Sequence, residues 1–285
     1  MKVALVTSSG LAHPDPDLSP LVAELCALEV DADIVCWDSS VDWRQYDAVI
    51  IRSTWDYHRR LEEFDRWLTT VSEQTQLWNP ADLIRWNLDK RYLADLASKG
   101  LPIVPSEFID IGETNWQQRV LSLGDDIVIK PTIGAGSHGV KRFTDQSEQA
   151  MNYVTELVQR GRTPLVQPYL TDIDTYGEIG LVAAAGVLSH AFHKAAILAG
   201  EPEWSGDDHV VEVISKHLPT DEELAVFQRV LSVLPPTAYA RVDLLPTSDG
   251  PLISEIEVIE PSLFLEVDAD AARRIAAAFA SVVRR

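Results

Sequence analysis

The sequence predicts an α/β unit followed by a mixed α+β region. Three observations carry this. Short apolar runs alternate with helical patterns through the first third. Two longer alternating runs, GEIGLVAAA and VLSHAFHKA, meet at Gly186, and a second such pair flanks Pro246–Gly250. A β-α-β order favours a parallel sheet covered by helices, whereas alternating runs joined by tight turns favour antiparallel hairpins.

In chain order, Val3–Ser8 is a short apolar strand ending in Ser-Ser-Gly, Leu21–Leu28 has helical patterning, and Ile34–Trp37 and Ala48–Arg52 read as further strands. Leu61, Phe64, Leu68 and Val71 lie three and four apart, one apolar face of a helix over Tyr57–Gln74. No GxGxxG follows the first strand, and Ser8-Ser9-Gly10 is too weak to define a dinucleotide site. Ligands of such sheets sit beyond the carboxyl ends of the strands. Arg52-Ser53-Thr54-Trp55-Asp56-Tyr57 lies at such an end, so Arg52, Ser53, Thr54 and Asp56 are candidate substrate contacts. An equal alternative is a strand-to-helix turn in which Ser53 or Thr54 caps the helix and Trp55 packs. A helix over Asn87–Ser98 is stopped by Lys99-Gly100 and Pro102. A strand at Ile127–Lys130, a glycine-rich loop, a strand at Val140–Phe143, a helix over Ser147–Gln159 and a strand at Leu165–Leu170 follow. Beyond the two runs that meet at Gly186 come a helix with Leu224, Phe227, Leu231 and Leu234 on one face, two strands, and an Ala-rich C-terminal helix.

Composition narrows the classes. A chain of 285 residues that is 46% hydrophobic can bury a core divided into two or three units. The formal charge of −20 excludes general nucleic-acid binding, which needs basic surface. A nucleotide site would therefore be a local basic pocket with metal ions. Cys26 and Cys36 have neither metal-ligand nor CxxC spacing and read as reduced thiols. Met1 leads straight into a strand and no apolar run reaches membrane-spanning length, so a soluble cytoplasmic chain with no membrane partner is expected. No feature sets an oligomeric state, and a homo-oligomer is compatible with the pattern.

The most informative segment is YARVDLLPTSDGPLISEIEVIEP, Tyr239–Pro261. With the turn centred on Asp249, Asp243 lies opposite Glu255 and Arg241 opposite Glu257, all four on one face of a hairpin. Like charges opposed across strands destabilise the pair, and a cation removes that penalty. Mg²⁺ suits Asp243, Glu255 and Glu257, since it takes carboxylate oxygens and completes its shell with phosphate and water. The alternative is a solvated face of weak salt bridges; Ile253, Ile256 and Val258 among the acids argue for a packed sheet and hence for metal. The second segment is IVIKPTIGAGSHGV, a strand ending in Lys130 before a glycine-rich loop. Such a loop brings backbone N–H groups to phosphates and Lys130 adds a point charge; alone it is more often only a turn, and the downstream magnesium site reverses that balance.

Lys90, the VIKP strand, GAGSHGV, Val166-Gln167-Pro168-Tyr169-Leu170, Gly177-Glu178, YARVDL and SEIE occur in the order found in ATP-grasp ligases, which the chain resembles from Asn87 to its C-terminus. STWDY, NPADLIRWNLDKRYL, VQPYL and IEPSLFL resemble the O-ureido-serine cyclo-ligase group of cycloserine biosynthesis in particular. The resemblance implies an N-terminal domain over 1–86 and two ATP-grasp subdomains over 87–170 and 171–285. It implies that Lys90 and Lys130 hold ATP phosphates and that the loop containing Gly134, Gly136, Ser137, His138 and Gly139 closes over them. Gln167, Tyr169 and Leu170 would form the adenine hinge, and Glu178 would accept ribose hydroxyls. Arg241 would stabilise the transferred phosphate, while Asp243, Glu255 and Glu257 would hold one or two Mg²⁺. The implied reaction activates a small amino-acid-like substrate as an acyl-phosphate, with release of ADP and phosphate. It is either an intramolecular cyclisation or an intermolecular carboxylate–amine ligation; a silent nucleotide-binding regulator is the remaining alternative. Two departures stand out: Glu257 replaces the family's common asparagine, and Pro261-Ser262 replaces Pro-Gly where the acyl substrate would sit, making Ser262 a substrate candidate.

Lys194 would reach either the γ-phosphate or a substrate carboxylate, or end its strand in solvent. His190 and His193 should face opposite ways and so not share a metal. Glu201–His209 reads as a surface loop or lid, and Trp37, Trp43, Trp67, Trp78 and Trp86 as packing residues.

Overall fold

The computed structural model describes residues 1–136, 138–144, 148–196, 204–205, 209–210 and 212–284. The N-terminal region is built from β1 (Lys2–Thr7), α1 (Leu18–Ala27), β2 (Asp31–Cys36), β3 (Ala48–Ser53), α2 (Leu61–Gln74) and β4 (Gln76–Trp78). Its four strands run in the order β2-β1-β3-β4, all parallel. Val3 and Leu5 of β1 face α1, while Ala4 and Val6 face the Phe64, Leu68 and Val71 side of α2. Both faces of the central strands are thus covered, which explains their unbroken apolar runs. Trp37 and Trp67 are buried against Phe64, and Trp43 against Trp67, as packing residues.

Next come α3 (Ala81–Leu88), α4 (Tyr92–Ser98), β5 (Glu107–Phe108), α5 (Gln117–Leu121), β6 (Ile127–Pro131), β7 (Lys141–Phe143), α6 (Glu148–Gln159) and β8 (Pro164–Pro168). The strands form an antiparallel sheet in the order β5-β8-β6-β7. The single helix expected over Asn87–Ser98 is two helices. Asp89 is extended (φ −109°, ψ 118°), its carboxylate accepts from the Arg91 N–H at 3.0 Å, and the Lys90 N–H donates to the Thr132 carbonyl at 2.8 Å. A tertiary hydrogen bond here replaces one turn of helix, and it brings Lys90 inward.

The remainder comprises α7 (Ile173–Tyr176), β9 (Glu178–Ala184), β10 (Val187–Lys194), β11 (Trp204–Ser205), β12 (His209–Val210), β13 (Ile214–His217), α8 (Asp221–Val233), β14 (Tyr239–Leu245), β15 (Leu252–Glu257) and α9 (Ala271–Val283). Five of its strands form an antiparallel sheet, β13-β10-β9-β14-β15. One face, with Ala240, Val242, Leu244, Leu181 and Ile256, packs on α8 and α4. The other face changes character along its length. At one end Val182, Phe192 and Tyr239 pack with α9, whose opposite side meets α1 and β1. At the other end the same face carries Glu178, Lys194, Arg241, Asp243, Glu255 and Glu257. α9 therefore seals the N-terminal sheet to this one.

Phe192 lies opposite Gly180 across β9 and β10. A Cβ at Gly180 would come within 2.1 Å of the Phe192 ring, and that ring lies under the Arg241 guanidinium at 5.8 Å. Gly180→Ala should therefore cost about 1–3 kcal/mol by overpacking, read as a lower urea midpoint; an unchanged midpoint would mean that the ring repacks freely.

Candidate active site

β14 and β15 pair with Arg241 opposite Glu257 and Asp243 opposite Glu255, the register expected from the sequence. Beyond Asp243 the register slips by one residue, leaving Ser254 as a bulge. Its hydroxyl then lies 2.7 Å from Glu178 Oε1 on β9, two strands away. β15 is a sheet edge, yet its outer backbone is tied down. Asn87 accepts from the Val258 N–H at 3.0 Å and donates to the Ile256 carbonyl at 2.7 Å. The Tyr92 hydroxyl takes the Ile256 N–H at 2.8 Å, and Ile253 N–H donates to Pro102 at 2.8 Å. The strand that presents Glu255 and Glu257 is fixed from both sides.

A cavity of about 610 Å³ lies between the two antiparallel sheets and opens toward the C-terminal ends of the parallel strands. Such a volume suits a nucleotide with a small second ligand. It is lined by Lys90, Lys130, Gly134, Gly136, His138, Gln167, Tyr169, Leu170, Glu178, Lys194, Arg241, Asp243, Glu255 and Glu257, together with Asp56 and Ser262. Gly139 stands outside this lining; it adopts a positive φ of +78°, and its carbonyl accepts from the Tyr153 hydroxyl at 2.7 Å. Ser137 lies outside the described residues, as does most of the Glu201–His209 segment.

Charges in the cavity are interlocked. Arg241 bonds Asp243 (2.8 Å), Glu257 and the Ser262 carbonyl (3.0 Å). Lys90 Nζ lies 2.8 Å from Glu255 and donates to the Gly134 carbonyl at 3.2 Å, joining strand acid to glycine loop. Lys194 Nζ is 2.8 Å from Glu178 and its side chain is only 14% exposed, so it is not a solvated strand end. Burial by itself would raise the Glu178 carboxyl, but Lys194, Ser254 and Arg241 bring it down to about 2. Burial lowers Lys130, and Glu255 only partly restores it. Glu257 is pushed up to about 7 by burial, against Arg241 and with the repulsion of Asp243 and Glu255. Glu260, which the sequence reading passed over, is pushed up to about 8 by burial and by Glu257.

The Arg52–Tyr57 segment divides. Arg52, Ser53 and Thr54 are fully buried and do not line the cavity. Arg52 donates to the Pro261 carbonyl at 2.7 Å and stacks 5.1 Å over Tyr239, and the Ser53 hydroxyl donates to Thr7 at 2.8 Å. Neither direct substrate contact nor helix capping describes them: they hold the wall behind the site. Trp55, Asp56 and Tyr57 do reach the cavity, and Trp55 Nε1 donates to the Glu260 carbonyl at 2.9 Å. The loop after β15 is clamped elsewhere too. Asp17 accepts from the N–H groups of Leu263 (2.8 Å) and Leu265 (3.0 Å), and His190 Nε2 lies 2.6 Å from the Leu263 carbonyl. No sequence signal points to Asp17, Asn87 or His190 in these roles, because each pairs with backbone far away in the chain.

The fold finds its class among solved structures. At a TM-score of 0.71 and 18% identity, the fold is that of a RimK domain ATP-grasp protein from Sphaerobacter thermophilus, over 97% of this chain and 98% of that one. The crystal structure of the D-cycloserine synthetase DcsG superposes with a TM-score of 0.86 at 32% identity, over 99% of this chain and all of that one. The cycloserine biosynthesis protein DcsG of Streptomyces lavendulae is 34% identical over 98% of this chain and 97% of its own length. A model of the DcsG N-terminal domain matches residues 3–79. The chain belongs to the DcsG family and is an ADP-forming ligase of the ATP-grasp type.

Proposed function

We propose that this ligase activates the carboxylate of a ureido amino acid as an acyl-phosphate and closes it onto a nitrogen of the same molecule, as in cycloserine formation. The observation that carries this reading is the position of Arg241. Its guanidinium binds the acids Asp243 and Glu257 on one side and the Ser262 carbonyl on the other, so one cation joins the phosphate end of the cavity to the loop beside it. In the proposed reaction a substrate carboxylate oxygen attacks the γ-phosphorus and ADP departs. The internal nitrogen then attacks the acyl carbon, loses its proton and expels phosphate, and hydrolysis of the carbamoyl group left on that nitrogen, as carbamic acid, completes the free ring. Lys90, Lys130 and Arg241 neutralise charge that builds on the transferred group, an electrostatic contribution that works best in a dry site. Gln167, Tyr169 and Leu170 would border adenine, Glu178 would take the ribose hydroxyls, and the Gly134–Gly139 loop would cover the phosphates.

Mg²⁺ fits the donor set. Asp243, Glu255 and Glu257 are hard oxygen donors, and burial, helped by the repulsion of Asp243 and Glu255, lifts Glu257 to about 7 against the pull of Arg241. Among the described residues no group of three acids, histidines or cysteines encloses a metal unaided. Mg²⁺ does not require such a group, because it binds a few carboxylates and takes its other oxygens from phosphate and water. These three acids would hold it, and it would supply a Lewis acid for the phosphate oxygens.

The test is ADP and phosphate release screened over amino acids and ureido amino acids, singly and in pairs. Turnover with O-ureido-serine alone is expected. A strict need for two substrates would replace cyclisation by intermolecular ligation, and nucleotide binding without any ADP release would refute ligation altogether.

A further inference from the structure

The acids that border the cavity come with cations. Glu178 has Lys194, Asp243 and Glu257 share Arg241, Glu255 has Lys90, and Asp56 is held by Arg60 at 3.4 Å. Glu260 is the exception. It is 9% exposed, lines the cavity, and has no salt-bridge partner among the described residues. Its surroundings keep it there. Trp55 grips its carbonyl, Arg52 grips that of Pro261, and the buried Tyr57 hydroxyl lies beside its carboxyl. A carboxyl so fixed cannot swing out to water, and its charged form is expensive to bury without a paired cation. A fold that places one at a ligand cavity supplies half of an ion pair.

The other half can be named from the neighbours. The Ser262 carbonyl, two residues beyond Glu260, is bonded by Arg241 at 3.0 Å. An acid and a guanidinium therefore border one stretch of the same loop. An α-amino acid carries its carboxylate and ammonium on a single carbon and needs such a pair. We propose that Glu260 determines specificity by binding the substrate's α-ammonium, with Tyr57 orienting its carboxyl, while the substrate carboxylate faces Arg241. Asp56 is a poorer receptor, since Arg60 and the Trp37 indole N–H already occupy its oxygens.

This inference deepens the reading of the substrate as an amino acid and rests on it. Its test uses D-cycloserine and isoxazolidin-3-one, the same ring without the amine, titrated calorimetrically into the full chain with ADP and magnesium. Wild type should favour the amine-bearing ring by tenfold or more. Glu260→Gln should abolish that preference with ADP affinity, a check on folding, retained; Glu260→Asp, which keeps the charge, should keep part of it. A preference that survives in Glu260→Gln, an equal loss for both rings, or binding of neither ring to wild type would overturn the proposal. Failure of the cyclisation reading looks different: wild type would release no ADP with O-ureido-serine, yet the amine preference and its dependence on Glu260 would persist.

Discussion

Replacing Asp243 with asparagine should lower kcat by about 10²–10³ while the fold is retained, the scale seen when one preorganised electrostatic contact is removed from an active site. The substitution keeps shape and leaves an oxygen for Arg241, which also retains Glu257 and the Ser262 carbonyl. It removes one buried charge that burial already disfavours, since Asp243 titrates above the ordinary carboxylate range despite Arg241. Stability should therefore hold or rise. ADP release at saturating substrate, read beside a urea titration, separates the two effects. Wild-type turnover in a folded Asp243→Asn protein would remove Asp243 from the metal and phosphate set.

Replacing Asp17 with alanine should destabilise the protein by about 2–6 kcal/mol, because two buried backbone donors lose their acceptor at a cost of about 1–3 kcal/mol each. Those donors, Leu263 and Leu265, flank Phe264, whose φ of +50° places a bulky residue in the left-handed region. That conformation costs about 1–2 kcal/mol and persists only because its neighbours are held. Asp17→Asn keeps one acceptor oxygen and should lose roughly half as much. Urea midpoints measure both. Because the same loop carries Glu260 and Ser262, KM for the amino-acid substrate should rise in Asp17→Ala more than kcat falls. An Asp17→Ala midpoint equal to wild type would mean that Arg52 and His190 suffice to hold the loop.

The parts of the site that could be read in sequence are those where local period and register carry the information. Arg241 and Asp243, like Glu255 and Glu257, are two apart on a strand, and a short turn sets which faces which; the observed pairing follows that arithmetic even though a bulge at Ser254 shifts the strands beyond it. The glycine loop and the strand before it were legible for the same reason. Arg52 misled because a strand's carboxyl end does point toward ligands, but the pointing residues are Trp55, Asp56 and Tyr57, one turn later. The helix over Asn87–Ser98 misled because local helical propensity yields to a backbone hydrogen bond from Lys90 to Thr132, which no local pattern encodes.

By itself the sequence determined the parallel and antiparallel sheets, the acidic face of one hairpin and the cations able to meet it, since alternation and helical spacing are properties of neighbouring residues. Only the tertiary structure decided that Lys90 turns inward, that Lys194 is locked to Glu178, that Arg52 and Asp17 brace a loop more than two hundred residues away, and that Glu260 lines the cavity with no salt-bridge partner among the described residues. Those outcomes depend on which charges packing leaves paired in a dry interior, and pairing across the chain has no period to read.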